Sequence, residues 1–345
     1  MWLKSDLNDL GGPRSGRISG QGRATVDSPQ RPSRYAWFVK RVKRHAYWAR
    51  TQGVAALVEE DELNLRDRWR RRRSTRQWAK LHGVAGDARA IYVVGAQRSG
   101  TNFLVRHLQQ YPAVEVHNEN SRAAFDRFLF KSDRTIAELI ASSQQKAIVF
   151  KPLCDSHRTN ELLDNIETPV ESRAIWVYRA WQARARSAVA KFGSSNLDVL
   201  SAAAEETWGT SWQLSGVSEE NREFVESLNF EGMSPESGSA LFWFIRNSLF
   251  FDGGLDQRDD VLLVSYDRLT ADPEHEFAII ERFVGLEGEQ PMSTEQIRPA
   301  SVPELPDIDP AVRQRCEELQ RRLDAAWDAQ EKRIERSTDH TEDVP

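Results

Sequence analysis

The densest group of chemically useful residues is Gln97-Arg98-Ser99-Gly100-Thr101-Asn102-Phe103-Leu104, directly behind the apolar run Ala90-Ile91-Tyr92-Val93-Val94-Gly95. Glycines let such a loop curl so that backbone N–H groups turn inward, and the helix that follows adds the positive end of its dipole. Ser99, Thr101 and Asn102 supply short polar side chains and Arg98 a charged fork. The chemistry this favours is the cradling of a phosphate-like anion. A nucleoside-triphosphate loop would end in Gly-Lys-Ser/Thr. Here Gly100 runs into Thr101-Asn102, and the cation stands earlier, at Arg98. The plainer alternative is a strand-to-helix turn closed by a Ser/Thr cap.

Three other segments offer charged side chains behind apolar runs. In Tyr178-Arg179-Ala180-Trp181 the run ends in arginine, where a magnesium-dependent phosphotransferase often places aspartate. A cation there meets an anion directly, and Ser187, about two helical turns on, can face the same side. A surface salt bridge and an ordinary helical serine are the alternative. Phe150-Lys151-Pro152-Leu153-Cys154 carries Lys151 at a strand end, with Cys154 read as packing rather than as a nucleophile. His117-Asn118-Glu119-Asn120-Ser121 holds two candidate general bases, Glu119 and His117, beside residues suited to helix capping. The seven histidines form no close pair at metal-ligand spacing, and two cysteines exclude a disulfide scaffold or a cysteine-rich zinc site. No metal site is expected.

These segments need a frame that sets their strand ends side by side. Short apolar runs at 90–94, 113–116, 147–150, 174–178 and 261–264 alternate with helical stretches. This predicts a three-layer α/β fold with a central parallel sheet of about five strands, covered on both faces. Ligands of such sheets bind beyond the carboxyl ends of the strands. Leu241-Phe242-Trp243-Phe244-Ile245 reads as a core helix face rather than a ligand shelf, and 309–335 as a long charged helix.

The chain has 345 residues, 39% of them hydrophobic and 29% charged, enough apolar content for a sizeable core. No apolar run approaches the ~20 residues of a membrane span, and the first residues lack the apolar stretch of a secretory signal. With so few cysteines, a cytoplasmic setting is expected. Residues 1–33, rich in Gly, Ser, Arg and Pro, are expected to form a disordered tail. Residues 34–86 are expected to form a basic helical extension, with 14 Lys and Arg against 5 Asp and Glu. The main domain is expected over 87–335, with a disordered tail over 336–345. The basic stretch over 34–80 reads either as a solvated helix face or as a peripheral contact with an anionic membrane or polymer. It has no nucleic-acid motif beside it, so no nucleic-acid partner is expected.

Taken together and in order, these motifs resemble the sulfotransferase family that uses 3′-phosphoadenosine 5′-phosphosulfate (PAPS), over about Ala90 to Leu286. Gln97 to Leu104 is similar to the family's 5′-phosphosulfate loop, and Arg179 with Ser187 to its 3′-phosphate motif. Val261 to Leu269, with Asp272-Pro273 and Phe283-Val284-Gly285-Leu286, is similar to its late strand-and-helix segment. The resemblance implies a P-loop-like sulfotransferase fold and a nucleotide donor held by Arg98, Ser99, Gly100, Thr101, Asn102, Phe103, Arg179 and Ser187, with no metal required. It implies Arg98 and Lys151 as catalytic cations. The cytosolic branch uses a histidine base two residues after the strand-end lysine, and Leu153 stands there. Carbohydrate-modifying relatives use a glutamate after the second strand, so the resemblance gives the role of base to Glu119, with His117 and His157 as substitutes. Ile297-Arg298-Pro299-Ala300-Ser301 stands in place of the family's late Arg-Lys-Gly segment. The implied acceptor is a carbohydrate or a lipid-linked glycan, in a pocket shaped by residues 120–145 and 192–240. A nucleotide phosphotransferase with a divergent loop and an inactive binding protein on the same fold are the alternatives.

Overall fold

A computed structural model describes residues 65–126, 128–205, 208, 211–293, 304–305 and 307–342. Five strands, β1 (Arg89–Gly95), β2 (Val114–His117), β5 (Ala147–Phe150), β6 (Arg173–Tyr178) and β7 (Val261–Ser265), form one sheet in the order β2-β5-β1-β6-β7. Every pairing in it is parallel. Two short strands, β3 (Phe125–Asp126) and β4 (Leu129–Phe130), pair antiparallel apart from it. The expected α/β architecture with five parallel strands is therefore what the chain adopts.

The helices named below are α1 (Leu65–His82), α2 (Thr101–Leu108), α3 (Asp133–Ser142), α4 (Thr159–Asp164), α5 (Trp181–Phe192), α6 (Ser195–Glu205), α7 (Glu219–Glu226), α8 (Pro235–Asp252), α9 (Tyr266–Ala271), α10 (Pro273–Val284) and α11 (Pro310–Glu342).

Alternation along the strands explains the layering, because successive side chains point to opposite faces. Tyr92, Val94, Ile148, Phe150, Trp176 and Tyr178 share one face with the apolar residues of α8 and α11. Ile91, Val93, Val149, Ile175 and Val177 share the other with Leu104, Val105 and Leu108 of α2 and Phe277, Ile280 and Val284 of α10. Both faces are dry, so each strand reads as a continuous apolar run. Helix α8 is buried from Ser237 to Phe250, and Leu241 to Ile245 lies in the core as expected. A helix buried all round is mostly apolar, and its buried Arg246 and Asn247 donate to the Trp212 and Trp243 carbonyls.

The strand order decides where chemistry is possible. β1 lies between β5 and β6, so the loop after it is flanked by Lys151 behind β5 and Arg179 behind β6. It is also the point from which the chain leaves first toward β2 and later toward β6, the usual place for a ligand crevice.

Three expected boundaries change. Strand β2 runs one residue later than 113–116 and ends on His117. The compact unit that contains the sheet begins at Gln77, inside the stretch assigned to the extension. Trp78 explains this, since its Nε1 donates to Glu289 Oε2 at 3.2 Å. The backbone after 335 continues as helix to Glu342, where a disordered tail was expected. Neither glycine nor proline occurs between 311 and 342 to stop it. The expected tail over 1–33, and the extension up to residue 64, lie outside the described residues. Among the described residues no helix is long and apolar enough to cross a membrane.

Two glycines test the sheet's closeness. Gly95 (φ 119°) pairs with Val177, and a Cβ on it would lie 2.4 Å from the Val177 carbonyl oxygen. Gly232 (φ 72°) has nothing within 4 Å. Gly232→Ala is expected to lower stability by about 1 kcal/mol, the backbone term alone, and Gly95→Ala by about 3 kcal/mol or more. Urea midpoints of the two variants check the difference.

Candidate functional site

The loop after β1 is held in an unusual backbone. Arg98 is left-handed at φ 70°, and Gly100 is the N-cap of α2 at φ 95°. No side chain caps this helix, so the plain Ser/Thr-capped turn is not what forms. An uncapped helix N-terminus leaves its first N–H groups for an external acceptor. Gly100 is required by more than φ. A Cβ on it would fall 2.0 Å from Cδ2 of Tyr266, at the start of α9. The same Tyr266 ring meets Phe103 edge-on at 5.9 Å and lies 4.9 Å beneath the Arg179 guanidinium. The entry to the loop is fixed by the buried Ser156, whose Oγ accepts from the Gly95 N–H at 3.0 Å.

On the β5 side, Lys151 is 6% exposed. Its Nζ donates to Asn102 Oδ1 and pairs with Glu119 Oε2 at 3.2 Å. Asn102 sits in the first turn of α2 and Glu119 follows β2, so Lys151 joins the loop to the candidate base. On the β6 side, Arg98 Nε donates to Ser187 Oγ at 3.1 Å. Arg179 is held through its backbone, where Trp243 Nε1 donates to its carbonyl at 2.9 Å, while its buried Nε has no partner. Asp267 Oδ2 accepts from the Ala180 N–H at 2.6 Å. Burial pushes this carboxyl above its ordinary range, against the Ala180 hydrogen bond and the Arg179 charge, which pull it down.

Every residue the sequence singled out for the donor thus lies on or beside one loop. Arg98 to Phe103 form it, Lys151 and Glu119 flank one side, and Arg179 and Ser187 the other. Buried polar atoms there await a partner, Ser99 Oγ and Arg179 Nε among them. An anion with several oxygens is a partner of the right chemistry.

The other candidates part from the site. His117 uses both ring nitrogens, toward Glu115 at 3.0 Å and Ser121 at 2.8 Å, and stacks on Phe150. It ends a strand with both ring nitrogens engaged by neighbours in the chain. Burial, with Arg246 and Arg158 nearby, pushes His157 down to about 4. Its Nδ1 is buried without a partner. The Cys154 thiol is pushed well up by burial and the Glu119 charge, which suits packing and not attack. Ile297 to Ser301 lie outside the described residues. Among the described residues no group of three His, Cys, Asp or Glu is placed to hold a metal ion.

Sequence reasoning quoted Tyr266 only as part of a motif and missed its role as the surface against which the loop closes. The signal was a glycine with no room for a side chain, legible only when the partner ring is known. Arg184, fully buried beneath the loop, carries no sequence signal that sets it apart from Arg186 in the same helix.

Comparison with protein-family models and with curated proteins finds no match. Among solved structures, the chain is similar to the sulfotransferase domain of the Synechococcus PCC 7002 olefin synthase. That likeness has 16% identity, 68% of this chain and 95% of that one covered, and a TM-score of 0.39. It is also similar to the mouse sulfotransferase SULT7A1 complexed with PAP, at 14% identity, over 61% of this chain and 62% of that one, with a TM-score of 0.29.

The displaced histidine gives a prediction. His157 is held at about 4 in the folded chain against 6.5 when free, so between these values the unfolded chain binds the extra proton. Stability is therefore full above pH 6.5, falls as pH drops toward 4 and levels below it. Allowing for partial exposure, His157→Asn is expected to remove about 2 kcal/mol of that pH dependence. Urea midpoints of both proteins at pH 7.5 and 4.5 measure it.

Proposed function

We propose that the chain is a sulfotransferase that moves a sulfuryl group from PAPS to a hydroxyl or amine acceptor. The observation that carries this reading is the division of cations around one uncapped loop. Lys151 and the loop lie on the side of Glu119, and Arg179, with its buried unpartnered Nε, lies on the other. A donor with an anion at each end of its nucleotide fits two separated cationic places better than one with a single phosphate chain. Arg98, Ser99, Gly100, Thr101 and Asn102 would hold the 5′-phosphosulfate, Phe103 the base, and Arg179 with Ser187 the 3′-phosphate.

In the reaction, the acceptor oxygen or nitrogen forms a bond to sulfur in line with the bond to the 5′-phosphate oxygen, which breaks. The electron pair leaves on that phosphate oxygen, and the acceptor proton passes to Glu119. The products are the sulfated acceptor and 3′,5′-ADP. Arg98, Lys151 and loop N–H groups stabilise charge on the leaving oxygens, a contribution of about 3 kcal/mol per well-placed donor. Lys151 also orients the base, since one ammonium holds both Asn102 and Glu119.

Glu119 in place of a histidine base, together with the basic stretch, supports a carbohydrate or lipid-linked glycan as acceptor. Within that stretch Arg70, Arg72, Arg73, Arg76 and Lys80 are exposed on α1 beside Trp69, 63% exposed. This supports a peripheral contact with an anionic surface. A cytoplasmic location is part of the same reading.

Calorimetry without magnesium tests the donor. The protein is expected to prefer 3′,5′-ADP over 5′-ADP by about tenfold or more, and Arg179→Ala to abolish the preference. Equal binding, or binding that needs magnesium, would favour the phosphotransferase reading instead. Glu119→Gln is expected to lower turnover about 10²–10⁴-fold with donor affinity within about threefold of wild type. Single-turnover sulfation over an acceptor panel reads this out, and full turnover in the variant would remove Glu119 from the mechanism.

A further inference from the structure

Helix α5 grips the loop twice. Ser187 Oγ accepts from the Arg98 side chain. One turn earlier, Arg184 Nε donates to the Gln97 carbonyl at 3.0 Å. Residues three apart share one side of a helix, so consecutive turns of α5 meet consecutive residues of the loop. Arg184 reaches further, and its Nη1 donates to the Ser239 carbonyl in α8 at 2.8 Å. Loop, α5 and the central buried helix are tied through one guanidinium.

The peptide between Gln97 and Arg98 is planar, and its N–H points opposite to its C=O. Fixing the Gln97 carbonyl on Arg184 therefore fixes the direction of the Arg98 N–H as well. The next backbone angle, φ 70° at Arg98, starts from that plane. The loop's left-handed turn is set from below.

The charge is the second feature. Arg184 is 0% exposed, its Nη2 has no partner, and among the described residues no carboxylate pairs with it. It donates to two carbonyls and lies 5.0 Å over the face of Phe242, with the Cys316 thiol and the Arg246 guanidinium also near it. The nearby Arg98 charge repels it further. A buried cation without a counter-ion is costly, so the arrangement favours whatever brings negative charge to the loop.

We propose that Arg184 is a positioning residue of the anion site, which straps the loop by the Gln97 carbonyl and lends it a fixed, unneutralised positive charge. The inference rests on the donor-site reading above, but its test can be read apart from it. A surface arginine or a structural ion pair would do neither of these things.

The test uses the full chain and three variants, with calorimetric binding of 3′,5′-ADP and of inorganic pyrophosphate. Arg184→Met removes the charge at similar volume, Arg184→Lys keeps it without the fork, and exposed Arg186→Ala is the control for charge loss. Arg184→Met is expected to weaken both ligands about tenfold or more, Arg184→Lys by about threefold, and Arg186→Ala by less than about twofold. The ligand-free melting temperature of Arg184→Met is expected to stay near that of wild type, because the lost hydrogen bonds are offset by relief of the unpaired charge. If Arg184→Met does not fold, Arg184→Gln replaces it under the same expectation.

Unchanged affinity in the charge-free variant, or a Lys variant as weak as the Met variant, overturns the proposal. If wild type shows no preference for 3′,5′-ADP over 5′-ADP, the donor reading fails alone, and pyrophosphate still decides the role of Arg184. A chain that binds neither ligand sinks both.

Discussion

Two close approaches of backbone to neighbour set the geometry of the whole site. At Gly95 the first strand passes so near Val177 that no side chain fits, and at Gly100 the loop closes onto the ring of Tyr266. Between these points only four residues turn a strand into a helix. Arg98 has to adopt a left-handed backbone to make the turn, which costs about 1–2 kcal/mol for a residue with a Cβ. That strain persists because Ser156, Arg184 and Tyr266 hold the loop from three sides. Strained backbone that its surroundings over-determine is the usual mark of a binding loop. The uncapped start of α2 follows directly, since the residue at the cap has no side chain to offer.

Around this loop the charges do not balance. Arg184 and Arg246 are fully buried and pushed down to about 9 and about 10, mainly by burial. Arg179 keeps a buried Nε without a partner. Elsewhere the arginines are paired in the ordinary way, Arg258 with Asp164 and Asp260, Arg158 with Asp133 and Glu161. The contrast is internal to one chain. Around the loop Lys151 still meets the carboxylate of Glu119, whereas Arg184 meets two carbonyls and an aromatic ring. An interior that leaves positive charge unneutralised is less stable than it could be, a cost that the proposed anion site would explain.

Much of this was legible in the sequence because it is written in local patterns. Five apolar runs bury both faces, so each reads without alternation, and the sheet followed from them. Arg98, Lys151 and Arg179 each stand just past such a run, which places them at carboxyl ends whatever the strand order. The order itself was not legible, because nothing local says that β1 lies between β5 and β6. Tyr266 and Arg184 were not legible as site residues for the same reason. Their roles depend on contacts with Gly100 and Gln97, far away in sequence, and either side chain alone suits an ordinary helix. Helix α1 shows the limit from the other side. Its arginine-rich composition marked it as an extension, while Trp78 binds its last turns to the domain by a hydrogen bond to Glu289 and by packing against the core.

Under the proposed function, the choice among candidate bases turns on packing rather than on residue type. Histidine is the commoner general base, and His117 lies two residues from Glu119. Yet His117 lies flat on Phe150 with both nitrogens engaged, so taking a proton from a substrate would require breaking a contact first. His157 lies where burial and two arginines oppose its charged form, and gaining a proton there is unfavourable at neutral pH. Glu119 is the reverse case. It is partly open at 17% exposure, and it pairs with Lys151, which is tied to the loop through Asn102. A carboxylate oriented by the same ammonium that touches the anion loop is set at a fixed distance from whatever the loop holds. On the proposed reading, that fixed place beside the loop outweighs the better intrinsic proton affinity of a histidine set apart from it.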